Sequence, residues 1–210
     1  FHFIGDLDPA EAALRNALNL DPRRSDAQEA LGRLCLERFA LELVDNQGYR
    51  DAVSRRHLEL WAREAQDHFR SVASPSETGG VLARVAEAYR AFAERDGPRL
   101  MDLCERGERD SGGSMGVEEL YLLRSLIESG DAAVEWCSKA IARRPHFARA
   151  LLRRGALRSA SDPRAALKDL DHVVRIAPRF ADAHAHRGLC RRSLGEKDAA
   201  LADLTEAVRL

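Results

Sequence analysis

The chain contains no long apolar run. Although 45% of its 210 residues are hydrophobic, no stretch approaches the ~20 consecutive apolar residues that a membrane-spanning helix needs. The first residues, Phe1 to Gly5, also lack a basic segment followed by an apolar stretch, which is the pattern of a secretory signal peptide. We therefore expect a soluble, cytoplasmic chain that contacts no membrane.

Closely spaced metal ligands are also missing. Metal sites that can be recognised in a sequence usually place two ligands within a few residues, and no two of the four cysteines are that close. His184 and His186 are two residues apart, so on one helix they would point to different sides. The sequence therefore predicts no metal site. The cysteines are expected to act as small hydrophobic core residues in a reducing compartment.

The motifs of common catalytic sites are absent as well. The sequence has no Gly-x-Ser-x-Gly, no Gly-x4-Gly-Lys phosphate loop and no His-Glu-x2-His. We expect neither an enzymatic activity nor a cofactor for this chain.

Aromatic residues make up only 6% of the chain, and the charges are unevenly divided although the net charge is −1. Residues 131–210 contain 16 Lys and Arg against 10 Asp and Glu, whereas residues 1–130 contain 17 against 24. A basic C-terminal half can attract phosphates. However, only Trp136, Phe147 and Phe180 could stack on bases there. Nucleic-acid binding by a helical scaffold is therefore the alternative to protein binding, and a steep salt dependence would distinguish it.

A repeat of 33 to 34 residues is the main positive signal. It is carried by a small–large–small set of residues, by a glycine and by a closing proline. The equivalent positions are Ala133, Ala166 and Ala200; Cys137, Leu170 and Leu204; Ala140, Val173 and Ala207; Gly155 and Gly188; and Pro145 and Pro178. A period of this length indicates stacked helix-turn-helix units, none of which can bury its apolar face alone.

The pattern predicts about eleven helices and no strand. In the C-terminal half we expect helices at 117–129, 131–143, 148–160, 163–176, 181–194 and 197–210, separated by glycine- and proline-containing turns. Nearer the N-terminus an elongated pair is expected at about 26–44 and 49–72. Breaks are expected at 74–80 and 110–114. The chain then divides into an N-terminal helical region (1–73), a central hairpin (80–110) and C-terminal repeats (117–210), all in one continuous solenoid.

These residues resemble the tetratricopeptide repeat family. The family's small first-helix residue is matched by Gly32, Gly155 and Gly188, and its closing proline by Pro22, Pro145 and Pro178. Its second-helix set is matched by Ala10/Leu14/Ala17 and by the sets above. The resemblance implies an all-α, right-handed superhelix whose concave face binds proteins without catalysis. Residues 25–69 also resemble repeat regions attached to bacterial serine/threonine kinases, so we expect this chain to be part of a longer bacterial protein.

Two arginine pairs lie beside the crossing glycines. Arg154 and Arg158, and Arg187 and Arg191, are (i, i+4) neighbours on first helices. The second helices of the same units carry Asp169 and Asp203 at equivalent positions. We interpret these as ion pairs between adjacent helices, with the arginine stems lying on apolar surface.

The concave groove of such a fold is the expected binding site. Helical geometry places the groove residues on the face of each first helix opposite the core. The candidates are Arg33, Arg149, Leu152, Ala156, Asp182, Leu189 and Arg192. An extended or helical peptide with an acidic end could lie across this face, so the predicted function is a scaffold that binds a protein or peptide.

Overall fold

A computed structural model describes residues 7–45, 52–72, 77–110 and 116–210. These residues form eleven helices and no strand, which confirms the all-α class and the stacked helix hairpins expected from the sequence. The helices are α1 (Leu7–Leu20), α2 (Ser25–Asp45), α3 (Ala52–Ser71), α4 (Glu77–Ala93), α5 (Gly97–Asp110), α6 (Val117–Ile127), α7 (Gly130–Arg143), α8 (Ala148–Arg158), α9 (Pro163–Ile176), α10 (Ala181–Ser193) and α11 (Lys197–Arg209). None of the described helices is both long enough and apolar enough to cross a bilayer.

The chain divides into two compact units, with the boundary inside α6. The N-terminal unit is Phe1–Leu123 and the C-terminal unit is Arg124–Leu210. In the N-terminal unit each of α1 to α4 contacts the next helix, and α2 also contacts α4. Phe39 and Tyr89 stack in its core with ring centroids 4.3 Å apart. Such contacts bury the apolar faces that single hairpins would leave in water.

In the C-terminal unit, α7 to α11 pack in sequence order, and the first helices α8 and α10 also contact each other. Its core contains the small–large–small residues of the repeat, including the fully buried Ala166, Leu170 and Val173. The start of α9 is fixed locally. The Asp162 side chain accepts a hydrogen bond from the Ala165 N–H at 3.0 Å, and Pro163 occupies the first turn, where its missing N–H costs nothing.

The repeat glycines lie where two helices approach most closely. A Cβ atom added to Gly155 would lie 2.8 Å from Leu170 Cγ, and one added to Gly188 would lie 2.9 Å from Leu204 Cγ. In the N-terminal unit a Cβ on Gly32 would lie 2.7 Å from a ring carbon of Phe69. All three contacts are too short for a side chain, so the predicted crossing points are confirmed.

The predicted boundaries hold in most places. In the C-terminal half every observed helix end lies within two residues of its predicted position, and α2 and α3 form the expected elongated pair, with 21 and 20 residues. The break predicted at 74–80 is wrong in its second half, because α4 already begins at Glu77. Residues 73–76 and 111–115 lie outside the described residues, and most of the linker predicted at 110–114 falls among them.

Candidate functional site

Asp203 on α11 is a buried carboxylate that two arginines of α10 surround. It is 4% exposed. It accepts hydrogen bonds from Arg187 Nε at 2.8 Å and Nη2 at 2.5 Å, and from Arg191 Nη1 at 2.9 Å. The fork of Arg187 therefore binds both oxygens of the carboxylate, which is the strong geometry for an arginine–carboxylate pair.

The preceding repeat contains the same arrangement around Asp169. This carboxylate is 6% exposed and accepts hydrogen bonds from Arg154 Nε and Nη2, each at 2.7 Å. Arg158 Nη1 lies 3.7 Å from it, too far for a hydrogen bond. The hydrogen bond with Asp169 raises the pKa of Arg154 above its ordinary value. The ion pairs predicted from the sequence are confirmed in both repeats.

Each central arginine also reaches a third helix. Arg154 Nη1 donates to Ser138 Oγ on α7 at 3.0 Å, and Arg187 Nη1 donates to Asp171 Oδ1 on α9 at 3.1 Å. We call the two sets the arginine bridges: Arg154 with Ser138 and Asp169, and Arg187 with Asp171 and Asp203. Each bridge ties a first helix to the second helices before and after it.

These third partners could not be recognised directly in the sequence, because serine and aspartate are chemically unlike. The spacing of the two third partners, however, does follow the repeat. Ser138 and Asp171 are 33 residues apart, which is the spacing of Arg154 and Arg187. The two bridges are therefore the same contact in successive repeats.

Two of the predicted groove residues are largely enclosed. Arg149 is 8% exposed, and its guanidinium lies 5.1 Å from the centre of the Phe147 ring. Leu152 is partly buried and packs against two core clusters of the C-terminal unit. These positions contribute mainly to packing within the C-terminal unit.

The other predicted groove residues are more accessible. Leu189 is 40% exposed and Arg192 is exposed, whereas Ala156 and Asp182 are partly buried. These four residues belong to α8 and α10, the two first helices in direct contact. Arg33 belongs to the N-terminal unit, where it is exposed and lies 3.6 Å from Glu29.

The cysteines do not have the environment of nucleophiles. All four are buried, and burial raises the pKa of the Cys137 and Cys190 thiols. Burial, with the nearby Glu64 and Glu11, raises the pKa of Cys35 to about 12. Reactive cysteines have lowered pKa values and some exposure, so nucleophilic catalysis is not the chemistry that these thiols suit.

One cluster among the described residues has the composition of a metal site. Cys35 on α2 and Glu64 and His68 on α3 bring one potential ligand atom each to within 4.8 Å of one another. The sequence did not indicate this cluster, because the nearest members on the two helices are 29 residues apart.

The sequence matches no protein-family model, and no curated protein matches it. Among solved structures, the chain is similar to one described as the crystal structure of MamA, with 17% sequence identity over 98% of this chain and 88% of that chain. The TM-score is 0.36, which is too low to show a shared fold. The comparisons give no support to a link with kinase-associated repeats. The fold assignment rests on the helices and the repeat geometry themselves.

Proposed function

We propose that this chain is a non-catalytic scaffold that binds a protein or peptide across α8 and α10 of the C-terminal unit. The binding face consists of Ala156, Asp182, Leu189 and Arg192, and we call it the α8–α10 face. The exposure of Leu189 beside Arg192 carries the proposal. An apolar side chain next to a cation suits an amphipathic or extended peptide with an acidic residue.

The rigidity of the face supports the same function. The close helix crossings at Gly155 and Gly188 fix α8 and α10 against α9 and α11, and the arginine bridges tie the same helices together by charged hydrogen bonds. A surface that is already ordered loses less conformational entropy when a partner binds.

A basic C-terminal half is also compatible with nucleic-acid binding, but some of its arginines are occupied by contacts within the unit. Arg154, Arg187 and Arg191 donate hydrogen bonds to the buried Asp169 and Asp203. These three guanidinium groups are therefore engaged inside the unit and less available to bind phosphates. This favours a protein ligand over a phosphate backbone.

The test uses peptides selected against the full chain from a random display library. We expect peptides enriched in acidic and apolar residues, and the double variant Leu189→Ala/Arg192→Glu should lose their binding by roughly tenfold or more, since hot-spot truncations cost upwards of 1 kcal/mol each. The matched control is Leu201→Ala/Arg164→Glu, which makes the same changes at exposed positions of the second helices. It should bind as the wild type does.

If both double variants lost the same amount of peptide affinity, the assignment of binding to the α8–α10 face would be contradicted. A salt titration tests the nucleic-acid alternative. Phosphate contacts give affinities that fall steeply with salt, by ~10³-fold or more between 50 and 200 mM for six or more contacts. Tight binding of single-stranded RNA or DNA with that dependence, and no peptide binding, would refute the proposal.

A further inference from the structure

The Cys35–Glu64–His68 cluster lies inside the N-terminal unit, between its two longest helices. Glu64 and His68 are one turn apart on α3 and therefore share a face, which is turned toward Cys35 on α2. The Cys35 side chain is 2% exposed. The side chains of Glu64 and His68 are 30% and 15% exposed, so the cluster is partly accessible to solvent.

A neighbouring amide orients the histidine ring. Gln28 Nε2 donates to the Pro22 carbonyl at 3.1 Å, which leaves Gln28 Oε1 as the acceptor for His68. His68 Nδ1 lies 2.6 Å from that oxygen and must carry the proton. The lone pair is then on Nε2. In metal sites, a second-shell acceptor on the other ring nitrogen fixes the ligand tautomer in this way.

His68 Nε2 is itself buried and has no hydrogen-bond partner among the described residues. A carboxylate oxygen of Glu64 lies 3.9 Å away, too far to satisfy it. Buried polar atoms are normally paired, and an unpaired one needs an explanation such as an ion. The Cys35 thiol and a Glu64 carboxylate oxygen both lie within 4.8 Å of a ring nitrogen of this histidine.

We propose that Cys35, Glu64 and His68 bind a divalent cation of the zinc class, with a fourth position open to water or a partner's donor. A thiolate, an imidazole nitrogen and a carboxylate oxygen are together a ligand set that zinc accepts. Metal–ligand bonds of about 2.0–2.3 Å place tetrahedral ligand atoms roughly 3.4–3.8 Å apart. The potential ligand atoms lie within 4.8 Å of one another in the structure. Small side-chain rotations would bring them to the shorter distances of a bound ion.

The surrounding charges accommodate the ion. Arg15 donates to Glu64 and to Glu11, and Arg38 donates to Glu11. A carboxylate offers about four lone-pair positions, so the bond from Arg15 leaves Glu64 able to bind a metal.

Summed over the nearby groups, the site carries the charge that a divalent ion balances. The charged groups close to His68 are Glu11, Glu64, Asp67 and Arg15. Arg38 adds a further positive charge, because it forms an ion pair with Glu11. Coordination displaces the thiol proton of Cys35 to solvent. The three carboxylates and the thiolate then outweigh the two arginines by two negative charges. The ion would tie α2 to α3 and stabilise the N-terminal unit.

The test is a cobalt titration of the untagged full chain under reducing conditions. Cobalt(II) occupies zinc sites and reports a bound thiolate by a near-ultraviolet charge-transfer band. We expect one equivalent of Co²⁺ to produce this band with the visible spectrum of a tetrahedral ion, and Zn²⁺ to displace it. Zn²⁺ should also raise the unfolding temperature of the chain.

The variants separate this site from other thiols. Cys35→Ser should abolish the band. Cys104→Ser is the matched control, because Cys104 is also buried in the N-terminal unit and serine can keep its hydrogen bond to the Leu120 carbonyl. This control should keep the band. Gln28→Leu removes the positioning amide and should weaken Co²⁺ binding by roughly 10–100-fold while the band remains.

Absence of the band from the folded wild-type chain would overturn the proposal, and this outcome does not depend on any variant folding. Persistence of the band in Cys35→Ser, or its loss in Cys104→Ser, would place the metal at another thiol and would also overturn it. Circular dichroism checks that each variant is helical. If Cys35→Ser does not fold, His68→Gln provides the same comparison, with loss of the tetrahedral spectrum expected.

Discussion

Replacing Asp203 with asparagine removes a charge that three arginine hydrogen bonds converge on. The carboxylate is buried, and its partners Arg187 and Arg191 have side chains that are only 14% and 23% exposed. Asparagine has nearly the same shape but offers one neutral acceptor. Two guanidinium groups would then lose their main counter-charge in a poorly solvated place.

The expected loss in the free energy of unfolding for Asp203→Asn follows from these contacts. Hydrogen bonds to charged groups contribute about 1.5–3 kcal/mol each to stability, and asparagine loses two of the three. Part of this loss is offset, because a neutral amide costs less to bury than a charged carboxylate. We therefore expect Asp203→Asn to lower the free energy of unfolding by about 2–4 kcal/mol. Asp171→Asn is the matched control. It changes a carboxylate that is 52% exposed and contacts the same arginines, so its cost should be about 1 kcal/mol or less.

The assay is urea unfolding followed by the fluorescence of Trp136. The chain has two tryptophans, and Trp61→Phe leaves Trp136 as the only reporter. Trp136 lies in the C-terminal unit, between the Arg124 guanidinium at 4.0 Å and the Lys139 amine at 3.8 Å from the ring centre. The signal therefore reports the unit that contains both substitutions.

If Asp203→Asn lowers the free energy of unfolding no more than Asp171→Asn does, the stabilising role assigned to the buried Asp203 carboxylate is wrong. A double-mutant cycle with Arg187→Met adds a second check, because residues that share a buried ion pair should be coupled by more than about 0.5 kcal/mol. Asp169→Asn should give an intermediate cost, since among the described residues only Arg154 donates hydrogen bonds to Asp169.

Four further changes test local features of the fold by urea unfolding, with Trp136 as the reporter in the C-terminal unit and Trp61 as the reporter for Gly80→Ala, which lies in the N-terminal unit. Gly188→Ala should cost about 1–3 kcal/mol because its Cβ would lie 2.9 Å from Leu204 Cγ and 3.1 Å from a backbone oxygen. Gly80→Ala, with nothing within 4 Å, should be neutral or stabilise α4 by up to about 1 kcal/mol. Asp162→Ala should cost about 0.5–2 kcal/mol through loss of the α9 cap; no loss would show that the cap is dispensable. Burial lowers the pKa of His186 below its ordinary value of 6.5. As the pH decreases, the unfolded state therefore binds a proton at His186 before the folded state does. Stability should fall as pH decreases from about 7 to 5, and His186→Gln should reduce that fall; an unchanged pH profile would contradict the assignment.

Most of the helical architecture could be predicted from the sequence. The 33- to 34-residue spacing located the repeats, and the conformational limits of proline and glycine located the turns. Gly155 and Gly188 marked the helix crossings because only a hydrogen atom fits there. The arginine–aspartate pairs could be predicted for the same reason, since a repeat position in one unit has the same surroundings in the next.

How exposed each candidate groove residue is could not be predicted from the sequence. Helical geometry assigns a residue to a side of its own helix, but it does not show which neighbouring side chains cover that side. Arg149 was expected in the groove, yet its guanidinium lies near the Phe147 ring and the residue is buried. Leu152 was expected there too, and it packs between two core clusters. Leu189 and Arg192 are exposed, and their place in a binding site stays a prediction.

By itself, the sequence determined the class of fold, the repeat length and the places where helices cross, because these depend on local propensity and on a period that recurs along the chain. Only the tertiary structure decided that Cys35 meets Glu64 and His68 and that each central arginine reaches a third helix. Those contacts join residues that are far apart in sequence and differ in type. They depend on the distance and rotation between packed helices, which no local pattern specifies.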